Sequence, residues 1–369
     1  MGSPIRVLHV VVNMNRGGAE TLIMNLYRNI DRSKVQFDFL TCNEGVFDQE
    51  ILELGGKIHR IPYITDGGHF HYIKNLSQFF KANNQYKIVH SHMDKMSGFV
   101  LRAAKKAGIP VRIAHSHNTQ SEGGFAAKLY KEYAGSNIEK SATHFLACSK
   151  LAAEWLFKNK ADSSKLLKNG IETDKFTFSK NVRDQIRDEL GVEHDSLVLG
   201  HVGRFNQQKN HAFLIDIFNE LNKVVPKSYL VLAGDGTLRS DIEEKVKKLR
   251  LEEKVKFLGV RSDINSLLQA FDLFVFPSFH EGLPVTLIEA QGSGLPCLIS
   301  ENITEEVDMR MDLVKFLPID NKNVWVEEIR EISANDVSRN ISKQALSKQG
   351  YDIKNTANLI NDYYLGMVR

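Results

Sequence analysis

The segment His280-Glu281-Gly282-Leu283-Pro284-Val285-Thr286-Leu287-Ile288-Glu289-Ala290 decides the reading of this 369-residue chain. The apolar run Leu273-Phe274-Val275-Phe276 before it reads as a buried strand. Pro277, Gly282 and Pro284 then punctuate a loop that leads into a helix. Such a junction leaves backbone N–H groups free at the start of the helix, where the dipole favours an anionic ligand. Glu281 and Glu289 stand eight residues apart across it. At the helical rise they would lie roughly 12 Å from each other. That separation suits the sugar and the ribose of one nucleotide-sugar, because ionised carboxylates accept hydrogen bonds from paired hydroxyls. The plainer alternative is a strand–loop–helix unit with solvated glutamates.

A second segment, Gly200-His201-Val202-Gly203-Arg204-Phe205-Asn206-Gln207-Gln208-Lys209-Asn210, follows the apolar strand Leu197-Val198-Leu199 and precedes an apolar-periodic helix from His211. Arg204 and Lys209, presented after Gly203 at a strand end, make a clamp for a diphosphate. An arginine forks two oxygens, and a lysine adds a point charge. A basic surface loop is the bland alternative.

The rest of the chain sets bounds on these readings. Its length predicts two domains, since single cores stop growing near ~250–300 residues. No run reaches the ~18 apolar residues of a membrane span, and the N-terminus enters a strand without a signal-peptide layout, so a cytoplasmic protein is expected. Cys42, Cys148 and Cys297 are too scattered for a disulfide framework or a zinc site. They are expected as buried thiols. Net charge is +3, but residues 1–170 carry 23 Lys+Arg against 14 Asp+Glu, and residues 171–369 carry 25 against 31. A basic first half suits an acceptor domain facing anionic lipid, with Lys128 and Lys131 among the contributors. The basic residues are too dispersed for a nucleic-acid partner.

Short β-rich runs alternate with helical patterns from end to end, which predicts parallel sheets of βαβ units, an α/β fold. The runs include Ile5–Val12, Ile88–His92, Val111–His115, Leu197–Gly203, Ser228–Gly234 and Leu273–Pro277. The domains are expected at 1–174 and 175–349, with the crossover after Asn169-Gly170-Ile171. Ligands should bind at the C-terminal ends of the strands. Gly67-Gly68-His69-Phe70-His71 reads as a mobile loop.

The two opening segments together resemble the retaining glycosyltransferases of family 4, and the resemblance spans essentially the whole chain. Gly17-Gly18-Ala19-Glu20-Thr21 is similar to the family's glycine-rich first loop. Asn169-Gly170-Ile171 resembles the signature before the crossover, although Glu172 stands where Asp is usual. Leu232-Ala233-Gly234-Asp235-Gly236 and Phe257-Leu258-Gly259 match its nucleotide-domain strand ends. Ala114-His115-Ser116-His117-Asn118-Thr119, Gln208-Lys209-Asn210-His211 and Ile303-Thr304-Glu305 resemble enzymes of bacterial exopolysaccharide and capsule assembly. The resemblance implies the GT-B fold: two Rossmann-like domains with parallel sheets facing a central cleft, and a C-terminal helix (350–369) packed back on the first. It also implies transfer of a sugar from a nucleoside-diphosphate donor, with UDP the expected nucleotide, to a lipid-linked or saccharide acceptor.

Within that likeness, Glu281 is expected at the donor sugar and Glu289 at the ribose. Gly282, Leu283 and Pro284 line the sugar-phosphate, and Gly17 and Gly18 approach the diphosphate. Arg261 lies where the base is selected. The chain contains no Asp-x-Asp, so Arg204 and Lys209 are expected to meet the leaving charge without a metal or other cofactor. His115 and His117 end one strand, and one of them is expected near the reacting carbon. The register decides which, with His117 preferred as the catalytic residue. His92 is a further sugar or acceptor contact. A four-histidine metal site at His90, His92, His115 and His117 is not expected. Two other functions fit the architecture: a UDP-sugar 2-epimerase, which the Arg204–Lys209 and Glu281–Glu289 spacings oppose, and a non-catalytic partner subunit, which would be expected to lose these positions. No Gly-x-Gly-x-x-Gly follows the first strand, which disfavours a dinucleotide enzyme.

Overall fold

The computed structural model describes residues 3–335, 339, 341 and 349–368. The chain divides into two compact units, Met1–Ile171 with Gly350–Arg369, and Glu172–Gln349. The first unit is built on strands β1 (Ile5–Val10), β2 (Val35–Thr41), β3 (Ile58–Arg60), β4 (Ile88–Ser91), β5 (Val111–Ser116), β6 (His144–Ala147) and β7 (Lys165–Leu166). They form one parallel sheet in the order β3-β2-β1-β4-β5-β6-β7. The second contains β8 (Leu197–Val202), β9 (Ser228–Ala233), β10 (Val255–Phe257), β11 (Leu273–Phe276), β12 (Cys297–Ser300) and β13 (Val314–Leu317). Their order is β10-β9-β8-β11-β12-β13, again parallel.

Parallel sheets need helical cover on both faces, so strands buried on both sides often read as continuous apolar runs. β11 (Leu273-Phe274-Val275-Phe276) is such a run, whereas β2 is buried at every residue although it carries Gln36, Asp38 and Thr41. Strand order reverses between β1 and β4 in the first unit and between β8 and β11 in the second. In open α/β sheets ligands bind outside the carboxyl ends of the strands at such a switch point. The loops after β1, β4, β8 and β11 carry the residues singled out from the sequence.

The first unit ends at Ile171 rather than Asp174. Ile171 bridges in parallel to Asp352, accepts the Ile353 N–H (3.0 Å) and donates its own N–H to Tyr351 (2.8 Å). These bonds fasten the helix Ile353–Met367, which places Ile353, Ala357, Ile360 and Tyr364 in the core beside Phe37 and Phe39. Each fully buried isoleucine of this kind contributes roughly 1.5–3 kcal/mol. Arg369 lies outside the described residues.

Three local expectations change. Gly67–His71 is not a loop: it lies within the helix Ile64–Ala82, kinked at Gly68 (φ 75°). Cys42 is partly exposed, while Cys148 and Cys297 are buried free thiols. β7 and β13 were not visible in the sequence, because both are edge strands with lysines in them. Among the described residues, no helix is long and apolar enough to cross a membrane.

Candidate active site

The second unit's site starts from a partly buried anchor at the opposite end of its strands. Asp272, just before β11, receives Arg183 and Arg187 (2.6 Å each), and it also accepts the N–H of Val198 in β8 (2.7 Å). Charge-assisted pairs of this kind are strong and directional. They fix β8 against β11 and so set the relation between the loops that leave the other ends of the two strands. Those loops are laced together. Phe279 N–H donates to Gln208 (2.8 Å), the Gln208 amide to His280 (2.9 Å), and the Asn210 amide to Pro277 (3.2 Å).

The lacing brings Lys209 to Glu281. Lys209 Nζ lies 2.6 Å from Glu281 Oε1, with the side chains only 14% and 8% exposed. The ammonium also sits 4.5 Å above the ring of Phe276. Lys209 ends a short 3₁₀ turn, Gln207–Lys209, whose N-cap Asn206 accepts the Lys209 N–H. Arg204 is exposed and its guanidinium makes no hydrogen bond to a described residue. Gly203 stands beside the aliphatic stem of Lys209, where a Cβ would lie 3.2 Å from Cδ and Cε. Gly234, at the end of β9, has φ +136°, and a Cβ there would meet the Gly203 carbonyl at 2.0 Å. Only glycine lets that strand end pack under the Arg204 loop.

The helix after β11 is Val285–Gly292, with Pro284 at its N-cap and no side-chain cap. Glu281, Gly282, Leu283 and Pro284 form the buried loop before it. The 12 Å expectation therefore does not carry over, because half of the Glu281–Glu289 interval is not helical. Glu289 is partly buried, and burial pushes its carboxyl up to about 8. Arg261 is forked by Asp263 (2.8 and 2.7 Å) and reaches Glu189 (3.0 Å), which raises its pKa. Its charge is thus committed within the unit.

In the first unit, Gly17 is the N-cap of the helix Gly18–Asn29. A Cβ at Gly17 would meet the Glu20 carboxylate at 2.2 Å, whereas Gly18 faces open space. Parallel register puts His9 beside His90 across β1 and β4. Pairing of His90 with Ile113 puts His115 on the same sheet face two residues further on, beside His92. Five imidazoles thus meet: His9 Nδ1 lies 2.9 Å from His92 Nε2, His92 Nδ1 2.8 Å from His117 Nε2, and His90 Nε2 3.1 Å from His115 Nδ1. His115 is fully buried and His117 partly exposed, so His117 is the one of the two that reaches solvent. Burial pushes His9 and His117 down to about 3 and holds His90, His92 and His115 well below the usual histidine range. The ligand nitrogens of His9, His90 and His92, and of His92, His115 and His117, fall within 4.8 Å of one another, close enough to consider a metal ion.

Sequence reasoning missed His9 and Asp94. The signal for His9 was its position on β1, one residue before the strand end that faces His90. Asp94 (φ 45°) accepts the His117 backbone N–H at 3.1 Å, and burial pushes its carboxyl up to about 6.

Comparisons with known proteins bear on the family and the fold. The family models "Glycosyl transferase 4-like domain" and "Glycosyl transferases group 1" match residues 17–170 and 182–352. The chain is 42% identical over 368 residues to the protein named "Putative glycosyltransferase EpsF" of Bacillus subtilis (strain 168), covering 97% of this chain and 96% of that one. It is 26% identical to the UDP-Gal:alpha-D-GlcNAc-diphosphoundecaprenol alpha-1,3-galactosyltransferase of Escherichia coli, covering 99% and 98%. In fold it is similar to Anabaena HepE, solved with UDP and glucose (TM-score 0.80, 20% identity, 98% and 99% covered).

Proposed function

Since the chain belongs to the family 4 (group 1) glycosyltransferases and has their GT-B fold, we propose that it transfers a sugar, with retention, from a UDP-sugar to a lipid-linked or saccharide acceptor. The pathway is the assembly of a bacterial exopolysaccharide or capsule. The observation that carries the reading is the Lys209–Glu281 pair at the β8/β11 switch point, beside the uncommitted Arg204. Support for UDP and for a lipid diphosphate acceptor comes from the name of the E. coli relative, and for the pathway from the "capsular polysaccharide biosynthesis" relative CapH of Staphylococcus aureus.

The donor binds to the second unit. Arg204 and Lys209 neutralise the diphosphate as the glycosidic bond breaks, and Glu281 holds the sugar hydroxyls. Glu289, whose carboxyl keeps its proton in this setting, meets the ribose hydroxyls as donor and acceptor, and Gly282, Leu283 and Pro284 border the sugar-phosphate. Preorganised charge of this kind supplies several kcal/mol in the transition state. The acceptor oxygen attacks the anomeric carbon on the face the diphosphate leaves, through an oxocarbenium-like transition state. Its proton passes to the departing phosphate, so neither a protein nucleophile nor a metal is required. Within the first unit we assign His117, with His92 and His115 behind it, and the Gly17–Gly18 loop to substrate binding.

The first unit receives the acceptor at the inner face of the membrane. Phe70, Phe125 and Leu129 are among its most exposed apolar side chains, and Lys128 and Lys131 lie on the same helix as Phe125 and Leu129. His69 joins that helix to the one carrying Phe70, through the Tyr130 hydroxyl (2.6 Å). Apolar side chains flanked by lysines suit an anionic lipid surface.

Isothermal titration of the full chain with UDP, GDP and ADP, followed by the corresponding UDP-sugars, tests the donor reading. Binding of UDP alone among the nucleotides is expected. Absence of binding to every nucleoside diphosphate would defeat it.

A further inference from the structure

The five imidazoles of the first unit form two hydrogen-bonded chains. One runs His9–His92–His117. The other runs from the Tyr364 hydroxyl to His90 Nδ1 (2.7 Å) and on to His115. The chains stack on each other, with the His90 and His92 rings 4.1 Å apart and those of His115 and His117 4.0 Å apart. The first chain ends blind: His9 Nε2 is buried without a partner, in a ring environment that includes Phe37 and Phe39.

A neutral imidazole has one N–H and one lone pair. His92 is engaged at both nitrogens, so the tautomer of any one ring fixes those of the other two. Only two settings exist, Nδ1–H throughout or Nε2–H throughout. The second would leave His9 Nε2–H as a buried donor without an acceptor, a rare and costly defect. The first leaves a bare lone pair at the blind end and brings an N–H to the partly exposed end. The neighbouring chain is not set in this manner: Tyr364 Oη meets His90 Nδ1 and His90 Nε2 meets His115 Nδ1, but His115 Nε2 is also buried without a partner, so either direction of that chain leaves one donor unmet.

We propose that His9 and His92 are positioning residues that lock His117 as a neutral Nδ1–H tautomer. His117 is then a fixed hydrogen-bond donor to a hydroxyl or phosphate oxygen of the ligand, not a proton carrier. The blind end gives a proton nowhere to go. A metal fits the distances less well. Two nitrogens on one zinc, at bonds of ~2.0–2.1 Å, stand about 3.3 Å apart, whereas the His92 contacts of 2.8 and 2.9 Å are hydrogen-bond lengths. Neither histidine group contains a carboxylate to balance a buried dication.

The identity of the oxygen ligand rests on the glycosyltransferase reading; the tautomer does not. The test uses the full chain with ¹⁵N-labelled imidazoles and long-range ¹H–¹⁵N correlation spectra. The His117 signals are identified by their loss in His117→Asn. A neutral Nδ1–H pattern, unchanged from about pH 5.5 to 8, is expected in the range where free histidine titrates. An Nε2–H pattern, an averaged pattern, titration within that range, or stoichiometric zinc on these rings would each overturn the proposal. His92→Phe keeps a ring but removes both hydrogen bonds. It should give an averaged His117 tautomer and about tenfold slower transfer, with UDP affinity unchanged. His9→Phe frees the same chain from its blind end, and it provides the readout if His92→Phe does not fold. A His117 tautomer unaltered in the folded variants would sink the idea. Lack of UDP binding by the unsubstituted protein would count against the glycosyltransferase reading alone.

Discussion

Lys209 and Glu281, seventy-two residues apart in sequence, are held 2.6 Å from each other by loops leaving adjacent strands. The pair has two consequences. It places a cation and a carboxylate at one strand-order switch point, and it makes each charge the other's compensation in a mostly buried setting.

Lys209→Ala should therefore lower both activity and stability. Removing one partner of a mostly buried ion pair costs about 3–5 kcal/mol, which a chemical denaturation curve would register. Adding Glu281→Gln to Lys209→Ala should recover much of the stability and none of the activity. Equal stability of the single and double variants would show that the pair is not coupled.

Arg204→Ala should behave differently, because Arg204 is exposed and makes no hydrogen bond to a described residue. Its melting temperature should be unchanged, while transfer falls tens- to thousands-fold if the guanidinium supplies roughly 2–4 kcal/mol at the leaving diphosphate. Near wild-type turnover would reduce Arg204 to surface charge.

The two glutamates should separate by ligand. Glu289→Gln is expected to weaken UDP and UDP-sugar alike, since the ribose is common to both. Glu281→Gln should leave UDP affinity nearly unchanged and impair the sugar-dependent step. Titration calorimetry of both variants with UDP and the intact donor checks the split, and equal loss of UDP affinity would defeat it.

Glu289 also predicts a pH dependence of stability. Its carboxyl is pushed from 4.5 to about 8 in the folded protein. Between those values the unfolded chain has released the proton and the folded one keeps it, so rising pH favours unfolding. Relative to Glu289→Gln, the wild type should lose stability from about pH 4.5 to 8 and then level off. A melting-temperature difference that stays constant over this range would contradict the burial of the carboxyl.

Transfer to a working acceptor should survive EDTA and gain nothing from Mn²⁺ or Mg²⁺, because the leaving charge falls to Arg204 and Lys209. Loss with EDTA and recovery with either ion would reverse this assignment.

Much of this was legible in one dimension. The alternation of apolar strands with helical patterns prescribed two parallel sheets, since that periodicity is a local property of the chain. Arg204, Lys209, Glu281 and Glu289 stood out because each follows a strand whose end is marked by glycine or proline. The edge strands Lys165–Leu166 and Val314–Leu317 did not, because neither carries a continuous apolar run.

Tertiary structure alone decided who meets whom. A strand has the same pattern whichever neighbour it pairs with, and strand order and register carry the information that periodicity lacks. Placing β8 next to β11 turned Lys209 and Glu281 from two separate candidates into an ion pair. Placing β1 next to β4, with His9 level with His90, drew into the histidine cluster a residue that no spacing in the sequence connects to it. Burial then finished the chemistry: the same side chains in water would titrate near their ordinary values, and only removal from solvent holds the histidines neutral and keeps the proton on Glu289.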